Sequence, residues 1–189
     1  PRLARAQHPW GLGGGMAREV KEALDAQDPP VFLYSRVSAA GIAGVTGLDD
    51  IYVRDASSFR RLGIESTCEL IVGDQNRDWV VEGPPHHIPW MYAKDFSCNE
   101  LERSDTILRY LFPWKSILRT RKRFGTPMLQ KGASWFELQE LYPKKLLTPD
   151  TISFAFVSTH NQFVYVRNGA LFNRSAPVFK LLKSAAADD

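Results

Sequence analysis

Near the end of the chain, residues 151–182 carry the alternation of side chains that is typical of β-strands. β-branched and aromatic residues recur there at a period of two, at Ile152, Phe154, Phe163 and Tyr165. This period places alternate side chains on one face of a sheet, and the apolar face is expected to be the buried one. Asn168-Gly169 follows the second run at a spacing that suits a tight hairpin turn, because both residues tolerate positive φ angles. The segment therefore predicts a framework of strands that commits much of the chain to a sheet.

Two polar clusters lie within this framework, at residues 158–162 and 173–175. Their main hydrogen-bonding side chains are His160, Asn161, Gln162, Asn173 and Arg174. Because burying such groups without partners is costly, they are expected at the surface, where they favour a binding surface over a catalytic cleft. If Phe163 faces the core, Gln162 beside it faces outward. Alternatively, Asn173 and Arg174 close their turn through side chain–backbone hydrogen bonds.

The length and composition are those of one globular domain. The chain has 189 residues, of which 44% are hydrophobic and 24% are charged, and this is enough for a sizeable core. Strand-like segments mixed with amphipathic helical ones predict an α+β fold, in which helices pack on a twisted mixed or antiparallel sheet. We expect a flexible lead-in over residues 1–15, the domain over 16–183, and the start of a further helix over 184–189. The chain is thus expected to be excised from a longer protein.

The sequence argues against membrane and secretory roles. No apolar run approaches the roughly 20 residues that cross a bilayer, and the first residues lack the apolar region of a signal peptide. A cytoplasmic location is therefore predicted, with Cys68 and Cys98 as reduced thiols.

Two adjacent pairs of residues could hold a metal ion. Asp49-Asp50 and His86-His87 each offer two ligands, but neither pair has a third ligand at a useful spacing. Asp49 and Asp50 are instead expected in a turn or at a cap. No metal site is predicted.

Positive charge is concentrated in residues 101–150. This segment contains ten Lys or Arg and five Asp or Glu, a local charge of +5, whereas the whole chain carries +3. Its apolar spacing predicts a mostly helical segment over residues 101–142. The cations that crowd one predicted helix end are Lys115, Arg119, Arg121, Lys122 and Arg123. They form either a solvated face with favourable charge at a helix C-terminus or a surface that binds the phosphates of a polyanion.

An ordered series of short motifs resembles a known enzyme family. The motifs are Val45-Thr-Gly-Leu-Asp-Asp, Gly73-Asp-Gln-Asn-Arg-Asp-Trp, Phe112-Pro-Trp-Lys, Leu118-Arg-Thr-Arg, Ser134-Trp-Phe-Glu-Leu, Ile152-Ser-Phe-Ala-Phe-Val-Ser-Thr-His-Asn and Phe172-Asn-Arg-Ser-Ala-Pro-Val. In this order they are similar to the PglX family, the adenine-specific DNA methyltransferases of bacterial BREX phage-exclusion systems, which are related to long single-chain restriction–modification enzymes. The resemblance runs from about His8 to Leu182. Gln162 stands where the family has His, and Val166 where it has Asp, so the base preference of this region is not carried over.

The resemblance implies that the chain is a target recognition domain, which reads double-stranded DNA for an N6-adenine methyltransferase of phage defence. The cations of the helical segment would hold phosphates, and the two polar clusters would read base edges in the major groove. S-adenosylmethionine would bind the absent methyltransferase domain, which is the expected partner together with other phage-defence proteins. No catalytic residue is assigned, because the Asn/Asp-Pro-Pro-Tyr/Phe motif that holds a flipped adenine is missing. Asp28-Pro29-Pro30-Val31 comes nearest, with Val31 in place of the aromatic residue.

Two other classes of function stay open. A protein-interaction domain would expose an apolar patch made of Trp90, Met91, Tyr92 and Trp135. A free-standing hydrolase would need a pocket with perturbed titratable groups, although no Gly-x-Ser-x-Gly elbow supports one.

Overall fold

The structure, a computed structural model, describes residues 35–146, 150–167 and 169–182, together with Met16, Glu19, Val20, Glu22, Ala23 and Ala26. The chain divides into two compact units, Pro1–Arg36 and Val37–Asp189. In the first unit, the amide of Val20 donates to the carbonyl of Met16 at 3.0 Å, the spacing of a turn of α-helix. The lead-in, Asp28-Pro29-Pro30-Val31, Asn168 and residues 183–189 lie outside the described residues.

The second unit has the α+β fold that the sequence predicts, with short helices and several sheets. Its helices are α1 (Asp49–Tyr52), α2 (Ala56–Arg61), α3 (Thr106–Leu111) and α4 (Lys115–Leu118). Its first strands are β1 (Val37–Gly41), β2 (Gly44–Val45), β3 (Arg54–Asp55), β4 (Thr67–Ile71), β5 (Asn76–Arg77), β6 (Val80–Val81) and β7 (His86–Pro89). The others are β8 (Lys122–Arg123), β9 (Thr126–Pro127), β10 (Glu140–Leu141), β11 (Thr151–Phe154), β12 (Phe163–Val166), β13 (Leu171–Phe172) and β14 (Val178–Leu181).

Two four-stranded sheets take the place of the one sheet that the sequence suggests. Sheet 1 has the strand order β1-β14-β11-β12 and is antiparallel throughout. Sheet 2 has the order β13-β4-β7-β3, in which β13 runs parallel to β4. The remaining described strands form three two-stranded ribbons, β2 with β10, β5 with β6, and β8 with β9.

The main core lies between sheet 2 and the four helices. Its fully buried side chains include Tyr52, Phe59, Leu70, Ile88, Leu111 and Leu118. Burial of each such side chain contributes about 1.5–3 kcal/mol. The helices begin at ordinary caps, since the carboxylate of Asp55 accepts from the Ser58 amide at 2.8 Å and that of Asp105 accepts from the Ile107 amide at 2.8 Å. A smaller cluster around Phe172 and Val178 lies beside it.

The expected orientation of sheet 1 is wrong. Ile152 pairs with Tyr165 and Phe154 with Phe163, so the four apolar residues share one face as expected. That face is only half-buried, however, and Tyr165 is exposed. The buried face carries Thr151, Ser153, Val164 and Lys180. It can be polar because its groups are paired: the Asn76 amide donates to Ser153 Oγ at 3.0 Å, and Lys180 Nζ donates to Thr151 Oγ1.

The expected hairpin around Asn168-Gly169 is also wrong. The strands on either side of it, β12 and β13, belong to different sheets and do not pair. The hairpin in this region is β11–β12, and its connection is the first polar cluster with its flanks, residues 155–162. We call this connection the polar loop.

The mostly helical segment predicted over residues 101–142 is present only in part. Helices α3 and α4 occupy residues 106–118, with a single 3₁₀ turn between them. After Arg121 the chain forms the ribbon β8–β9, and the helix expected around Trp135 and Leu138 is absent. Residues 135–138 are held by side chains instead: Tyr52 donates to the Phe136 carbonyl at 2.9 Å, and Tyr92 accepts from the Leu138 amide at 2.8 Å.

A candidate nucleic-acid interface

A short basic ribbon projects from the region that follows α4. Strands β8 and β9 pair Lys122 with Pro127 and Arg123 with Thr126, which leaves a two-residue turn at Phe124-Gly125. We call residues 122–127 the basic hairpin. Lys122 is exposed, and the Arg123 guanidinium lies 5.9 Å from the centre of the Phe124 ring. The Lys131 ammonium lies 5.6 Å from the same ring and donates to the Arg123 carbonyl at 3.0 Å. Two cations, Arg123 and Lys131, therefore lie near one exposed aromatic tip, with the exposed Lys122 on the same hairpin.

Arg121 does not belong to this surface, contrary to the sequence prediction. Its side chain is only 7% exposed. The guanidinium donates to the carbonyls of Leu118, Thr46, Trp135 and Glu137 at 3.1, 3.0, 2.8 and 2.7 Å. With its donors paired inside the protein, it cannot contact a phosphate in this structure. It also lies 5.4 Å from the ring of Tyr52, whose pKa burial raises to about 12.

A second group of cations surrounds an aromatic groove beside α3 and α4. The groove has a volume of about 620 Å³ and is lined by Arg103, Leu108, Arg109, Phe112, Lys115 and Trp135. The Lys115 ammonium lies 5.3 Å from the Phe112 ring and 5.4 Å from the Trp135 ring. Arg119 is exposed at the end of α4. The site prediction missed Arg103, Arg109 and Lys131, although the charge count over residues 101–150 contains all three.

The polar loop exposes only part of its predicted side chains. His160 and Asn161 are exposed, whereas Gln162 is 9% exposed and points inward, opposite to the expectation. Gln162 accepts from Arg77 Nη1 at 3.1 Å, and its amide donates to His160 Nε2 at 3.1 Å. The physical reason is the reversed face of β12: Val164, and not Phe163, points to the core, so Gln162 does as well. Gln162 therefore positions His160.

A second hairpin lies against the polar loop. Strands β5 and β6 flank a two-residue turn at Asp78-Trp79, in which both residues have positive φ angles of 42° and 75°. Asp78 Oδ1 lies 3.8 Å from His160 Nε2, and the Trp79 ring is 6.3 Å from that of Phe163. The turn of the second hairpin therefore borders the His160 side chain.

Asn173 and Arg174 differ in exposure. Asn173 is buried; its amide donates to Asp49 Oδ2 at 2.9 Å, and its Oδ1 accepts from the Arg174 backbone amide at 2.7 Å. Asn173 thus closes its turn, as the alternative expectation had it, and it cannot read a base in this structure. The Arg174 side chain is exposed.

The apolar patch expected for a protein-interaction domain does not form. Met91 and Tyr92 are buried, and the ring of Trp90 packs 5.1 Å from that of Tyr92. The half-buried outward face of sheet 1 instead carries Phe163, Phe154 and Phe179, and Trp79 of the second hairpin extends them into an aromatic row, in which the ring centres from Trp79 onward lie 6.3, 5.9 and 5.1 Å apart.

Among the described residues, no group of three or more His, Cys, Asp and Glu side chains could hold a metal ion. His87 has another contact, since its Nδ1 lies 3.3 Å from Thr67 Oγ1. Within the same part of the chain, no helix is long and apolar enough to cross a membrane.

Comparison with known proteins gives one informative similarity. No protein-family model matches the chain. The chain is 29% identical, over 188 residues and 97% of its length, to the adenine-specific methyltransferase PglX of Streptomyces coelicolor. It spans only 15% of the length of that enzyme. The chain is therefore related to a segment of PglX, which confirms this part of the resemblance, while the task of the segment stays a prediction.

Proposed function

We propose that the chain binds double-stranded DNA as the target recognition segment of a PglX-like adenine methyltransferase in bacterial phage defence. The observation that supports this most is the basic hairpin, which carries Lys122 and Arg123 and whose exposed aromatic ring lies near the cations of Arg123 and Lys131. Cations on a projecting ribbon suit the phosphate-lined grooves of DNA. The similarity to a segment of an adenine-specific methyltransferase favours DNA as the polyanion that these cations bind.

In this proposal two sets of cations hold phosphates. The basic hairpin provides one set, and the aromatic groove provides the other through Lys115, Arg103 and Arg109. Arg119 lies exposed at the end of α4, between them in the sequence. Such contacts fix the position of the protein on the duplex and carry little sequence information.

The exposed polar side chains would read base edges. His160, Asn161 and Arg174 are exposed and end in hydrogen-bonding groups. An Asn amide can pair with adenine and an Arg guanidinium with guanine in the major groove, each contributing about 1–3 kcal/mol of discrimination. Gln162 would act indirectly, because it donates to the His160 ring.

The chemistry of methyl transfer would belong to another part of the enzyme. S-adenosylmethionine is expected to bind there, since the chain has no Pro-Pro-aromatic motif for the flipped adenine. The purified chain is accordingly expected not to transfer labelled methyl groups from S-adenosylmethionine to DNA.

Binding to labelled duplexes, followed by fluorescence anisotropy over a series of salt concentrations, tests the proposal. We expect binding that weakens linearly on a log–log plot as salt rises, because phosphate contacts release counterions. Absence of salt-dependent binding by the chain would overturn DNA binding.

An exchange of segments tests sequence recognition in a complete enzyme. The chain would replace the matching 188-residue region of Streptomyces coelicolor PglX, and methylated adenines would be mapped across a genome. A changed methylation motif supports target recognition, and an unchanged motif contradicts it. If the hybrid methylates nothing, the isolated chain is instead mixed with a pool of random duplexes and the bound duplexes are sequenced. Absence of any enriched sequence among them would then contradict target recognition.

The aromatic row supports a protein-interaction role as the second candidate. Its four rings, three on the outward face of sheet 1 and Trp79 on the second hairpin, form an apolar surface that could dock another part of the same enzyme. Phe154→Ser and Phe179→Ser in the hybrid enzyme would separate the two roles. If the hybrid enzyme with these substitutions no longer folded into one assembled protein, while the isolated variant chain still bound DNA as before, the docking role would be favoured.

A further inference from the structure

The tip of the basic hairpin holds an aromatic side chain in an unfavourable place. Phe124 and Gly125 have φ angles of +51° and +78°, the pattern of a type I′ turn. Asn or Gly is preferred at the first of these positions, because other side chains clash with the backbone at positive φ. The Phe124 ring is also 76% exposed to water.

Neither burial nor turn geometry accounts for Phe124. Gly125 satisfies the turn, and an additional Cβ there would meet no atom within 4 Å, so the tip is open on that side. A strained residue that the fold does not need is a sign of function. The ring is therefore displayed for a partner.

The hairpin that carries the ring is held firmly at its base. Arg121, which precedes it, binds four backbone carbonyls. The Gln139 side chain donates to the Lys122 carbonyl at 2.9 Å, and Lys131 donates to the Arg123 carbonyl at 3.0 Å. An ordered aromatic tip loses little conformational entropy when it binds.

The charge around the tip identifies the kind of partner. Arg123 and Lys131 lie 5.9 and 5.6 Å from the Phe124 ring, and Lys122 is exposed on the same hairpin, so cations that could hold phosphates flank an apolar contact in the sequence and in space. The second hairpin presents a similar ring, Trp79, which is 74% exposed at a φ of 75°. There the neighbouring tip residue is the carboxylate of Asp78, which would repel a phosphate.

We propose that Phe124 is a wedge that inserts between neighbouring base pairs and bends the duplex, while the cations beside it hold the flanking phosphates. Apolar side chains inserted at a base step unstack it and kink DNA, and the bent duplex then contacts more of the protein. This inference rests on the proposed function and adds to it the residue that deforms the DNA.

The experiment measures bending and binding on the same samples. Short duplexes carry a donor dye at one end and an acceptor at the other, and energy transfer is recorded at saturating chain, while anisotropy gives the affinity. Phe124→Asn suits the test because Asn-Gly is a favoured type I′ turn and leaves the hairpin intact. Trp79→Asn is the matched control, with a similar exposed ring at positive φ beside a carboxylate.

We expect the unchanged chain to increase energy transfer on binding and Phe124→Asn to abolish that increase. Affinity should fall by about tenfold, the size expected for loss of one stacked base contact, and the salt dependence should stay the same because no cation is removed. Trp79→Asn should bend DNA as the unchanged chain does.

Four results would overturn the wedge. Salt-dependent binding without any bend, or an equal bend with Phe124→Asn, would contradict the wedge and leave DNA binding standing. A bend lost with Trp79→Asn but kept with Phe124→Asn would assign the wedge to the second hairpin. Absence of binding by the unchanged chain would overturn the proposed function together with the wedge.

Discussion

Arg121 joins four separate points of the backbone through one guanidinium. Replacing it with Met would remove this donor from the carbonyls of Thr46, Leu118, Trp135 and Glu137. The Leu118 carbonyl keeps its longer bond from the backbone amide of residue 121, and that of Glu137 keeps its bond from the Tyr52 hydroxyl. Each unpaired buried group costs about 1–3 kcal/mol. We expect Arg121→Met to lower the free energy of unfolding by about 3 kcal/mol or more, measured by urea denaturation.

The neighbouring Arg119 supplies the control for this prediction. It is exposed, and a surface substitution of this kind changes stability by less than about 0.5 kcal/mol. Equal stability of Arg121→Met and Arg119→Met would contradict the structural role and return Arg121 to the phosphate-binding candidates.

Lys180 is a cation on the buried face of sheet 1, where it is 2% exposed. Burial lowers the pKa of its ammonium from 10.5 to about 8, and nearby Asp150 opposes part of this effect. Between these two pH values the unfolded chain holds the proton that the folded chain has released. The contribution of Lys180 to the free energy of unfolding therefore increases as the pH rises from about 8 to about 10.5.

Lys180→Met should remove that rise and stabilise the protein at neutral pH, where the buried charge is unfavourable. A gain of about 1–3 kcal/mol is expected. The gain is measured by urea denaturation at several pH values, as the difference in free energy of unfolding between the two chains. The difference is needed because tyrosines such as Tyr52, whose pKa is raised, lower the stability of both chains at higher pH. Parallel stability curves for the two chains would show that Lys180 keeps an ordinary pKa.

At the scale of elements, the two aromatic-tipped hairpins are strained by their own turn residues. A bulky residue at positive φ costs about 1–2 kcal/mol, and Phe124 is exposed, so removing it loses little packing. Phe124→Asn should therefore raise the free energy of unfolding by about 1 kcal/mol, measured by thermal and urea denaturation. Phe124→Val, which is β-branched, should lower it; a gain in stability with Val would refute strain as the cause.

The sequence predicted elements well where local pattern decides and poorly where side chains bind the backbone. Strands β11 and β12 follow from the alternation of Ile152 and Phe154 and of Phe163 and Tyr165. The helix expected around Trp135 and Leu138 fails because Arg121, Tyr52 and Tyr92 take up the backbone groups that a helix would pair. No local pattern reveals partners so far away in the chain.

The orientation of sheet 1 was hidden for a related reason. Alternation identifies the two faces of a strand but not which of them is buried. In sheet 1 the buried face is the polar one, because its groups are paired, as Asn76 is with Ser153. That reversal moved Gln162 inward and, with it, one predicted base contact. By contrast, His160, Asn161, Arg174, Lys115, Arg119, Lys122 and Arg123 keep side chains that a partner can reach at least in part.

At the scale of the molecule, the concentration of charge in residues 101–150 matters more than the net charge of +3. Replacing Lys122, Arg123 and Lys131 with Ala should weaken binding to all duplexes alike. The slope of log K against log salt should fall by about 2–3 if all three contact phosphates. Arg60 and Arg61, exposed on α2, and Lys94 form a control set of equal charge. Equal slopes of log K against log salt for the two triple variants would show that the DNA does not contact Lys122, Arg123 and Lys131.

The side-chain clamp on residues 135–138 has a consequence for the exchange of backbone hydrogens with solvent. This stretch lacks regular secondary structure, and irregular segments usually open locally and exchange early. Here the Leu138 amide is buried and donates to the Tyr92 hydroxyl, so it can exchange only when distant segments separate. We expect its deuterium uptake to be as slow as that of β4 and β7. In Arg121→Met the Leu138 amide should exchange much earlier than those strands. One side chain would then account for exchange in a loop that is as slow as in a core strand.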